Sequence, residues 1–99
     1  MNVISKSRLV RFWEKNLKAE PGLLTFYKTA KKAAWKNFSE VRQAFPSADV
    51  YRNCVIFDIG GNKFRLVAKI RYRIGRIYIR QIMTHVEYDK EKWKGDCKC

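Results

Sequence analysis

The sequence predicts an α+β fold, in which two N-terminal helices cover one face of a small antiparallel sheet and a short helix follows the last strand. Apolar residues recur at helical spacing in the first third of the chain. From residue 54 onward, apolar and polar residues alternate as they do in strands, and glycines stand between the alternating stretches. Because 99 residues match the usual size of one domain, we expect a single domain over residues 1–99.

The first half of the chain predicts a short strand over residues 1–4 and three helices. The first helix begins at Ser5 and places its basic residues outward. The run Glu20-Pro21-Gly22 breaks that helix, and Pro21 suits the first turn of a second helix over about residues 21–36. A short third helix is predicted over residues 39–44. The apolar stripe of the first helix consists of Leu9, Phe12, Trp13 and Leu17, and that of the second consists of Leu23, Phe26, Tyr27, Ala30 and Ala34.

The second half predicts three antiparallel strands over about residues 54–59, 63–72 and 76–84. Gly60-Gly61 and Ile74-Gly75 separate them, and both pairs are typical of two-residue hairpin turns. A two-residue turn at Gly60-Gly61 places Asp58 opposite Lys63. A similar turn at Ile74-Gly75 gives the sheet two different faces. On the apolar face, which the helices cover, it pairs Ile70 with Ile79, Tyr72 with Ile77 and Leu66 with Met83. On the basic face it pairs Lys69 with Arg80, Arg71 with Tyr78 and Arg65 with Thr84.

The charge of the chain favours a polyanionic partner. Its 22 Lys and Arg against 9 Asp and Glu give a formal net charge of +13, which both halves share. Seven basic residues and no acid lie between residues 63 and 80, and like charges on one sheet face are costly unless something neutralises them. A bound phosphate chain explains this pattern better than a merely solvated sheet face. The candidate RNA-binding residues are Lys63, Lys69, Arg71, Arg73 and Arg76.

The cysteines and the hydropathy favour a cytoplasmic protein. The longest stretch without a charged residue covers only residues 21–27, which is too short to span a membrane. The first residues lack the apolar core of a signal peptide. Three cysteines agree with a reducing compartment, and Cys97 and Cys99 are expected to lie in a frayed, reduced tail. Because a structural zinc site needs four ligands, one C-x-C pair predicts no metal, and no cofactor motif is present.

The stretch YIRQIMTHVEYDK, residues 78–90, predicts a site for acid–base chemistry. It holds the only histidine, His85, followed by Tyr88 and Lys90 at the end of a basic strand. RNA cleavage by attack of the 2′-OH needs a base, cations that stabilise the phosphorane, and an acid for the leaving 5′-oxygen. His85 suits either proton-transfer role, and Tyr88 suits one if cations lower its pKa or if it acts as the acid. Arg65, Arg80 and Lys90 suit the electrostatic role.

Each of these residues also has a structural interpretation. A single histidine at a strand end is commonly a hydrogen-bonding loop residue, and Tyr88 could pack the last helix onto the core. The residues alone therefore predict an RNA-binding domain with a possible ribonuclease site.

The stretch FDIGGNKFRLVAKIRYRIGRIYIRQIMTHVEYDK, residues 57–90, resembles the HigB-type toxins of bacterial toxin–antitoxin pairs. The segment AWKNFSEVRQAFPSADVY after two helices fits the same family. The resemblance is weakest over residues 1–20 and the cysteine tail. It implies a RelE-like fold and an mRNA interferase that cleaves the message in the ribosomal decoding site. It also implies a cognate helix-turn-helix antitoxin of the HigA type, through which the complex would bind operator DNA.

On this resemblance, His85, Tyr88 and Lys90 match the family's T-H-x-E-Y-D-K segment, and Arg65 and Arg80 match its basic strand positions. Since catalytic sets vary among RelE-like proteins, the match locates the site without assigning acid and base. Two alternatives stay open: an RNA- or ribosome-binding module that does not cleave, and a DNA-binding repressor subunit. Neither helix shows a clear helix-turn-helix spacing, which counts against the second.

Overall fold

A computed structural model of the chain describes residues 1–61 and 63–97, and it confirms the α+β class. Along the chain, three helices separate the first strand from the next one, and a short helix follows the last strand. The elements in chain order are β1 (Asn2–Ile4), α1 (Lys6–Lys15), α2 (Glu20–Lys32), α3 (Phe38–Ala44), β2 (Asp49–Tyr51), β3 (Cys54–Ile59), β4 (Phe64–Arg71), β5 (Arg76–Thr84) and α4 (His85–Asp89).

The described strands form one five-stranded sheet in the order β1-β5-β4-β3-β2. Strands β2 to β5 pair antiparallel, as predicted, and β1 adds to the edge of β5 in parallel. Helices α1 and α2 cover one face, where Leu9, Leu23, Phe26, Phe57 and Leu66 are fully buried. The predicted apolar face is confirmed for most of its members, since Ile70, Tyr72, Ile77 and Ile79 lie in or against this cluster.

Two helices end earlier than the sequence pattern predicts. The α1 helix ends at Lys15, and Leu17 lies beyond it with 71% of its surface exposed, so Leu17 is not part of the apolar stripe. The α2 helix ends at Lys32, so Ala34 lies outside the helix. The chain leaves α2 at Ala33, which adopts an extended conformation, and Asn37 then caps α3 by accepting a hydrogen bond from the Glu40 amide.

The predicted register between β4 and β5 is wrong. Residues 72–74 form a 3-10 turn that ends at Gly75, whose φ of 66° is left-handed, and the connection is therefore longer than two residues. As a result Ile70 pairs with Ile77, and Arg71 pairs with Arg76. The turn after β3 is also longer than predicted, so that Asp58 pairs with Arg65 and not with Lys63.

A β-bulge then shifts the register by one further residue. Ala68 pairs with Ile79 and Val67 pairs with Gln81, which leaves Arg80 as the extra residue of β5. Beyond the bulge, Arg65 lies opposite Met83 and not opposite Thr84. Met83 consequently faces away from the two helices, contrary to the predicted sorting.

The sheet face opposite the helices, which we call the outer face, carries a second apolar cluster. Residues 92–97, here called the tail segment, lie over it. The cluster consists of Cys54, Ile56, Val67, Met83, Trp93 and Cys97, with Tyr51 and Tyr88 packed against it.

Cys54 and Cys97 form a disulfide, with their Cα atoms 5.5 Å apart. The prediction of a frayed, reduced tail is therefore wrong for Cys97, which is buried; Cys99 lies outside the described residues. Apolar side chains of Ile56 and Val67 on the outer face explain why this surface needs a cover. Across the described parts of the chain, no helix combines the length and the apolar character needed to cross a membrane.

Candidate active site and nucleic-acid interface

The short helix α4 carries two of the predicted catalytic residues. Thr84 caps it with a capping box, in which its hydroxyl accepts a hydrogen bond from the Glu87 amide and the Glu87 carboxylate accepts one from the Thr84 amide. The His85 amide also donates a hydrogen bond to the Lys63 carbonyl at 3.1 Å, which ties the start of α4 to the hairpin before β4. The sequence TH-x-E thus fixes where α4 leaves the sheet.

His85 lies at the first position of α4 with half of its side chain exposed. Its Nε2 atom is 3.6 Å from Asp89 Oδ2, one helical turn later. The imidazole is therefore open to a ligand from solvent, with a carboxylate on one side of it.

Tyr88 lies three residues further on α4 and is partly buried. The guanidinium carbon of Arg65 is 5.1 Å from the centre of its ring, and the ring of Trp93 stacks on it at 5.0 Å with an interplanar angle of 7°. Burial raises the pKa of the Tyr88 phenol, while the charge of Arg65 opposes that shift. Because the raised pKa keeps the phenol protonated near neutral pH, Tyr88 suits a proton donor and not a phenolate base.

Arg65 is buried on the outer face, with 8% of its surface exposed. Its Nε lies 3.0 Å from Asp58 Oδ1, and its Nη1 donates a hydrogen bond to the Phe64 carbonyl. The structure brings Arg65 and Tyr88 together, as the sequence predicted. The Arg65 guanidinium, however, lies buried against the Tyr88 ring and does not line an open groove.

Arg80, the bulge residue, is held by the tail segment. Its Nε and Nη2 atoms donate to the two carboxylate oxygens of Asp96 at 2.8 and 3.0 Å. This fork-like pair lowers the pKa of the Asp96 carboxyl and raises that of the Arg80 guanidinium. The structure shows an Arg80 side chain that is 42% exposed but already carries a counter-ion.

The remaining predicted cations lie at both ends of the β4–β5 pair. Lys63 and Lys90 lie near α4, whereas the other end, at the turn that joins the two strands, carries Arg71, Arg73 and Arg76. Lys90 ends α4 and lines a cavity of about 230 Å³ with Gln81, Glu87 and Trp93. Lys63, Arg71, Arg73 and Arg76 are exposed, and Lys69 is partly buried. Arg73 lies in the turn after β4 and not on the sheet.

A further basic groove lies between α1 and β5 and was not predicted as a site. It has a volume of about 410 Å³. Arg8, Arg11 and Lys15 form its helical wall, while Phe12 and Ile82 supply apolar surface. The guanidinium of Arg8 donates a hydrogen bond to the Arg80 carbonyl at the bulge. The sequence signal for this groove was the outward basic stripe of the first helix, which the prediction left unassigned.

A family model described as the RelE-like toxic component of a toxin–antitoxin system, HigB toxin, matches residues 19–91. The chain belongs to the HigB toxin family. It is 33% identical to the mRNA interferase HigB of Escherichia coli O6:H1 over 91% of this chain and 90% of that protein. It is 32% identical to the mRNA interferase toxin HigB of Escherichia coli K12, and to the mRNA interferase HigB of Shigella flexneri, over 90% of this chain and 88% of each relative.

The resemblance to HigB toxins is thus confirmed, and membership of such a system implies a cognate antitoxin. The residues that sequence reasoning missed in this HigB-family toxin are the partners of the predicted ones: Asp58 beside Arg65, Trp93 on Tyr88 and Asp96 on Arg80. Trp93 and Asp96 lie in the tail segment, beyond the matched residues 19–91. Within the described residues, no group of three or more His, Cys, Asp or Glu side chains is arranged to hold a metal ion.

Proposed function

We propose that this HigB-family toxin is a ribosome-dependent endoribonuclease of one domain, residues 1–99, which cleaves translated mRNA in the cytoplasm until a cognate antitoxin neutralises it. The observation that carries the proposal is the arrangement on α4. An exposed imidazole and a protonated phenol stand three residues apart, so they share one helix face, and the Arg65 guanidinium contacts the phenol ring. The names of the three relatives, which are mRNA interferases, support the same activity.

The proposed reaction is internal transfer of the phosphodiester. His85 takes the proton from the 2′-OH, whose oxygen attacks the phosphorus, and Tyr88 donates a proton to the 5′-oxygen as its bond to phosphorus breaks. The products are a 2′,3′-cyclic phosphate and a 5′-OH end. Because the RNA itself supplies the nucleophile, the reaction needs no metal ion. Neutral Tyr88 at the physiological pH is the physical argument for this division of roles.

The cations contribute in two ways. Lys63, Arg71, Arg73 and Arg76 are exposed and are proposed to hold the phosphate backbone of mRNA or ribosomal RNA, together with the partly buried Lys69. Lys90, also exposed, lies at the end of α4 and is proposed to stabilise negative charge on the phosphorane. Arg65 is paired with Asp58, and Arg80 is paired with Asp96. Either arginine can contact RNA directly only if its ion pair rearranges.

For the partner, we propose an antitoxin of the HigA type with a helix-turn-helix domain, through which the complex would contact operator DNA. The groove between α1 and β5 suits an acidic segment of that protein. Its walls carry four basic residues and no acid, and its floor is apolar.

The test is expression of the chain alone, followed by mapping of RNA ends in a translation extract. We expect growth arrest, cleavage within translated messages and 5′-OH ends. The matched control is a His85→Ala/Tyr88→Phe double variant, which should be folded, bound to ribosomes and unable to cleave. Unimpaired growth with soluble wild-type protein confirmed in the cells counts against the toxin activity.

One observation favours a second candidate, a ribosome-binding module that does not cleave. Both arginines predicted to stabilise the transition state already have carboxylate partners, Asp58 and Asp96. Ribosome binding by the wild type without any new RNA ends would favour this alternative.

A further inference from the structure

The tail segment, residues 92–97, contacts the proposed site although it lies beyond residues 19–91, which the HigB family model matches. Trp93 is 3% exposed and packs against strands β3, β4 and β5 through the second apolar cluster. Its indole Nε1 donates a hydrogen bond to the Tyr88 carbonyl at 2.9 Å, and its ring stacks on the Tyr88 ring. Trp93 thus holds both the backbone and the side chain of Tyr88.

The contacts of Trp93 leave the Tyr88 ring little freedom. The Arg65 guanidinium contacts the same ring, and Arg65 is itself fixed by Asp58. A phenol that donates a proton to a departing oxygen must keep its O–H direction, because small misplacements of a catalytic group lower the rate steeply. Removing Trp93 would leave one side of the ring against solvent and would allow the side chain to rotate.

A covalent bond anchors the tail segment. Cys97 is 1% exposed and its disulfide partner Cys54 lies in β3, in the interior of the sheet. The other described attachments of the segment are the Trp93 contacts, the pair between Asp96 and the partly exposed Arg80, and the contacts of Lys94 with the Tyr51 ring and with Glu91. Since exposed ion pairs contribute little, the disulfide and Trp93 provide most of the attachment.

We infer that the tail segment is a positioning element for Tyr88, with Trp93 as the positioning residue and the Cys54–Cys97 disulfide as the anchor that makes its position depend on thiol redox state. A dithiol reductant opens the anchor by thiol–disulfide exchange. One thiolate of the reductant attacks a protein sulfur to give a mixed disulfide, and its second thiol resolves it. The protein gains two electrons and two protons as Cys54 and Cys97 become thiols, and the reductant becomes a disulfide. The effect on cleavage rests on the function proposed above.

The first test compares Trp93→Ala with the conservative Trp93→Phe. We expect Trp93→Ala to lower the rate of mRNA cleavage by about 10- to 100-fold while ribosome binding stays unchanged. Trp93→Phe keeps a flat ring against Tyr88 but loses the indole N–H and the second ring of the indole, so it should recover most of the rate. If Trp93 only stabilised the fold, Trp93→Ala and Trp93→Phe would not differ in cleavage rate while binding ribosomes equally well.

A spectroscopic titration of Tyr88 gives a readout that needs no cleavage. Burial raises the pKa of the Tyr88 phenol, so Trp93→Ala should lower the alkaline midpoint of its absorbance change, identified by difference from Tyr88→Phe. The same downward shift is expected when the oxidised protein is treated with dithiothreitol.

The second test uses a Cys99→Ser background, so that only Cys54 and Cys97 can pair. In this background dithiothreitol should lower cleavage, and a further Cys97→Ser substitution should give the reduced behaviour with no response to the reductant. Impaired cleavage by Tyr88→Phe would show that the assay depends on Tyr88. With that established, equal cleavage rates and equal Tyr88 titration midpoints in the oxidised, reduced and Trp93→Ala proteins would overturn the inference. If no form of the protein cleaves RNA, the proposed function fails, and the Tyr88 midpoint alone decides whether the tail segment positions Tyr88.

Discussion

Asp58 Oδ1 lies 3.0 Å from Arg65 Nε, on the neighbouring strand and directly opposite in the register. The Arg65 side chain is 10% exposed and that of Asp58 is 29% exposed, so the pair is largely removed from water. A buried guanidinium needs such a partner, because an uncompensated charge in this position is strongly unfavourable. Arg65 is therefore as much a structural residue of the outer face as a residue of the proposed site.

The first prediction follows from this pair. Asp58→Ala removes the carboxylate that lies against the largely buried Arg65 guanidinium and should lower the free energy of unfolding by about 1–3 kcal/mol, measured by urea denaturation. The matched control is Asp89→Ala, which removes the exposed carboxylate beside His85 and should cost no more than about 0.5 kcal/mol. Equal losses of unfolding free energy in the two variants would show that the buried pair stabilises the fold no more than the exposed one.

The second prediction separates the two proton-transfer roles. His85→Ala and Tyr88→Phe should each lower mRNA cleavage by about 10²–10⁴-fold, because each removes a general base or acid, and ribosome binding should change little. The check is single-turnover cleavage together with a ribosome pelleting assay. If only the Tyr88 variant loses activity, the phenol carries the transfer without the imidazole. If both folded variants cleave normally, the residues on α4 are structural and the site lies elsewhere on the basic surface.

The third prediction concerns salt. Affinity for RNA should fall steeply between about 50 and 200 mM salt, because cations on the protein release counter-ions from the phosphates they contact. An Arg71→Ala/Arg73→Ala variant should bind more weakly and reduce the slope of log affinity against log salt by about two. Lys28→Ala/Lys32→Ala removes the same charge from exposed positions of α2 and should leave the slope nearer that of the wild type. Binding that hardly changes over this salt range would refute a phosphate-tracking surface.

The fourth prediction concerns acid. The hydrogen bonds from Arg80 lower the pKa of the Asp96 carboxyl below its usual value of about 3.9. A depressed folded-state pKa gives stability that is present above the unfolded value and is lost as the pH falls through the folded value. The wild type should therefore be more stable than Asp96→Asn at pH 6. Because the pair is partly exposed, we expect a difference below about 1 kcal/mol.

This Asp96 contribution should shrink as the pH falls below about 4. Urea unfolding of both proteins between pH 6 and pH 3 measures it. A difference that grows on acidification would contradict the assigned ion pair.

The fifth prediction tests the contact between α2 and the β3–β4 hairpin. A Cβ atom on Gly22 would lie 2.7 Å from the Gly60 amide nitrogen and 2.8 Å from a methyl carbon of Ile59, which is closer than packed atoms allow. Gly22→Ala should therefore lower the free energy of unfolding by about 1–3 kcal/mol through overpacking. Gly95→Ala is a suitable comparison, because a Cβ atom on Gly95 would meet no other atom within 4 Å and the backbone φ there is not left-handed. Thermal or urea unfolding of both variants decides the point.

Local patterns in the sequence were sufficient for the elements of the fold. Spacings of three and four residues located α1 and α2, and alternation located β3, β4 and β5, because these periods reflect burial of one face. The register failed where it depended on geometry that has no strong sequence marker. The left-handed Gly75 closes a 3-10 turn that resembles a two-residue hairpin turn in sequence, and nothing around Arg80 indicates a bulge.

The candidate site was predicted only in part, because local sequence patterns do not reveal contacts between distant parts of the chain. His85, Tyr88 and Lys90 are neighbours in sequence, and Arg65 was placed near them by strand pairing that was only approximately right. The partners Asp58, Trp93 and Asp96 could not be assigned, since they are brought in by long-range packing. The tail segment has no periodicity, and its disulfide joins cysteines 43 residues apart in the chain.

The bulge at Arg80 adds one residue to β5 relative to β4. Residues before it and residues after it follow opposite parities, so Ile77 and Ile79 face the helices while Met83, also odd-numbered, lies on the outer face. Deleting Arg80 would restore a regular ladder in which Gln81 follows Ile79 and still pairs with Val67, so every later position would keep its side of the sheet. The same deletion would remove the carbonyl that accepts a hydrogen bond from Arg8 and the guanidinium that pairs with Asp96. The extra residue is thus dispensable for placing Tyr88 over Arg65, but it joins β5 to α1 and to the tail segment.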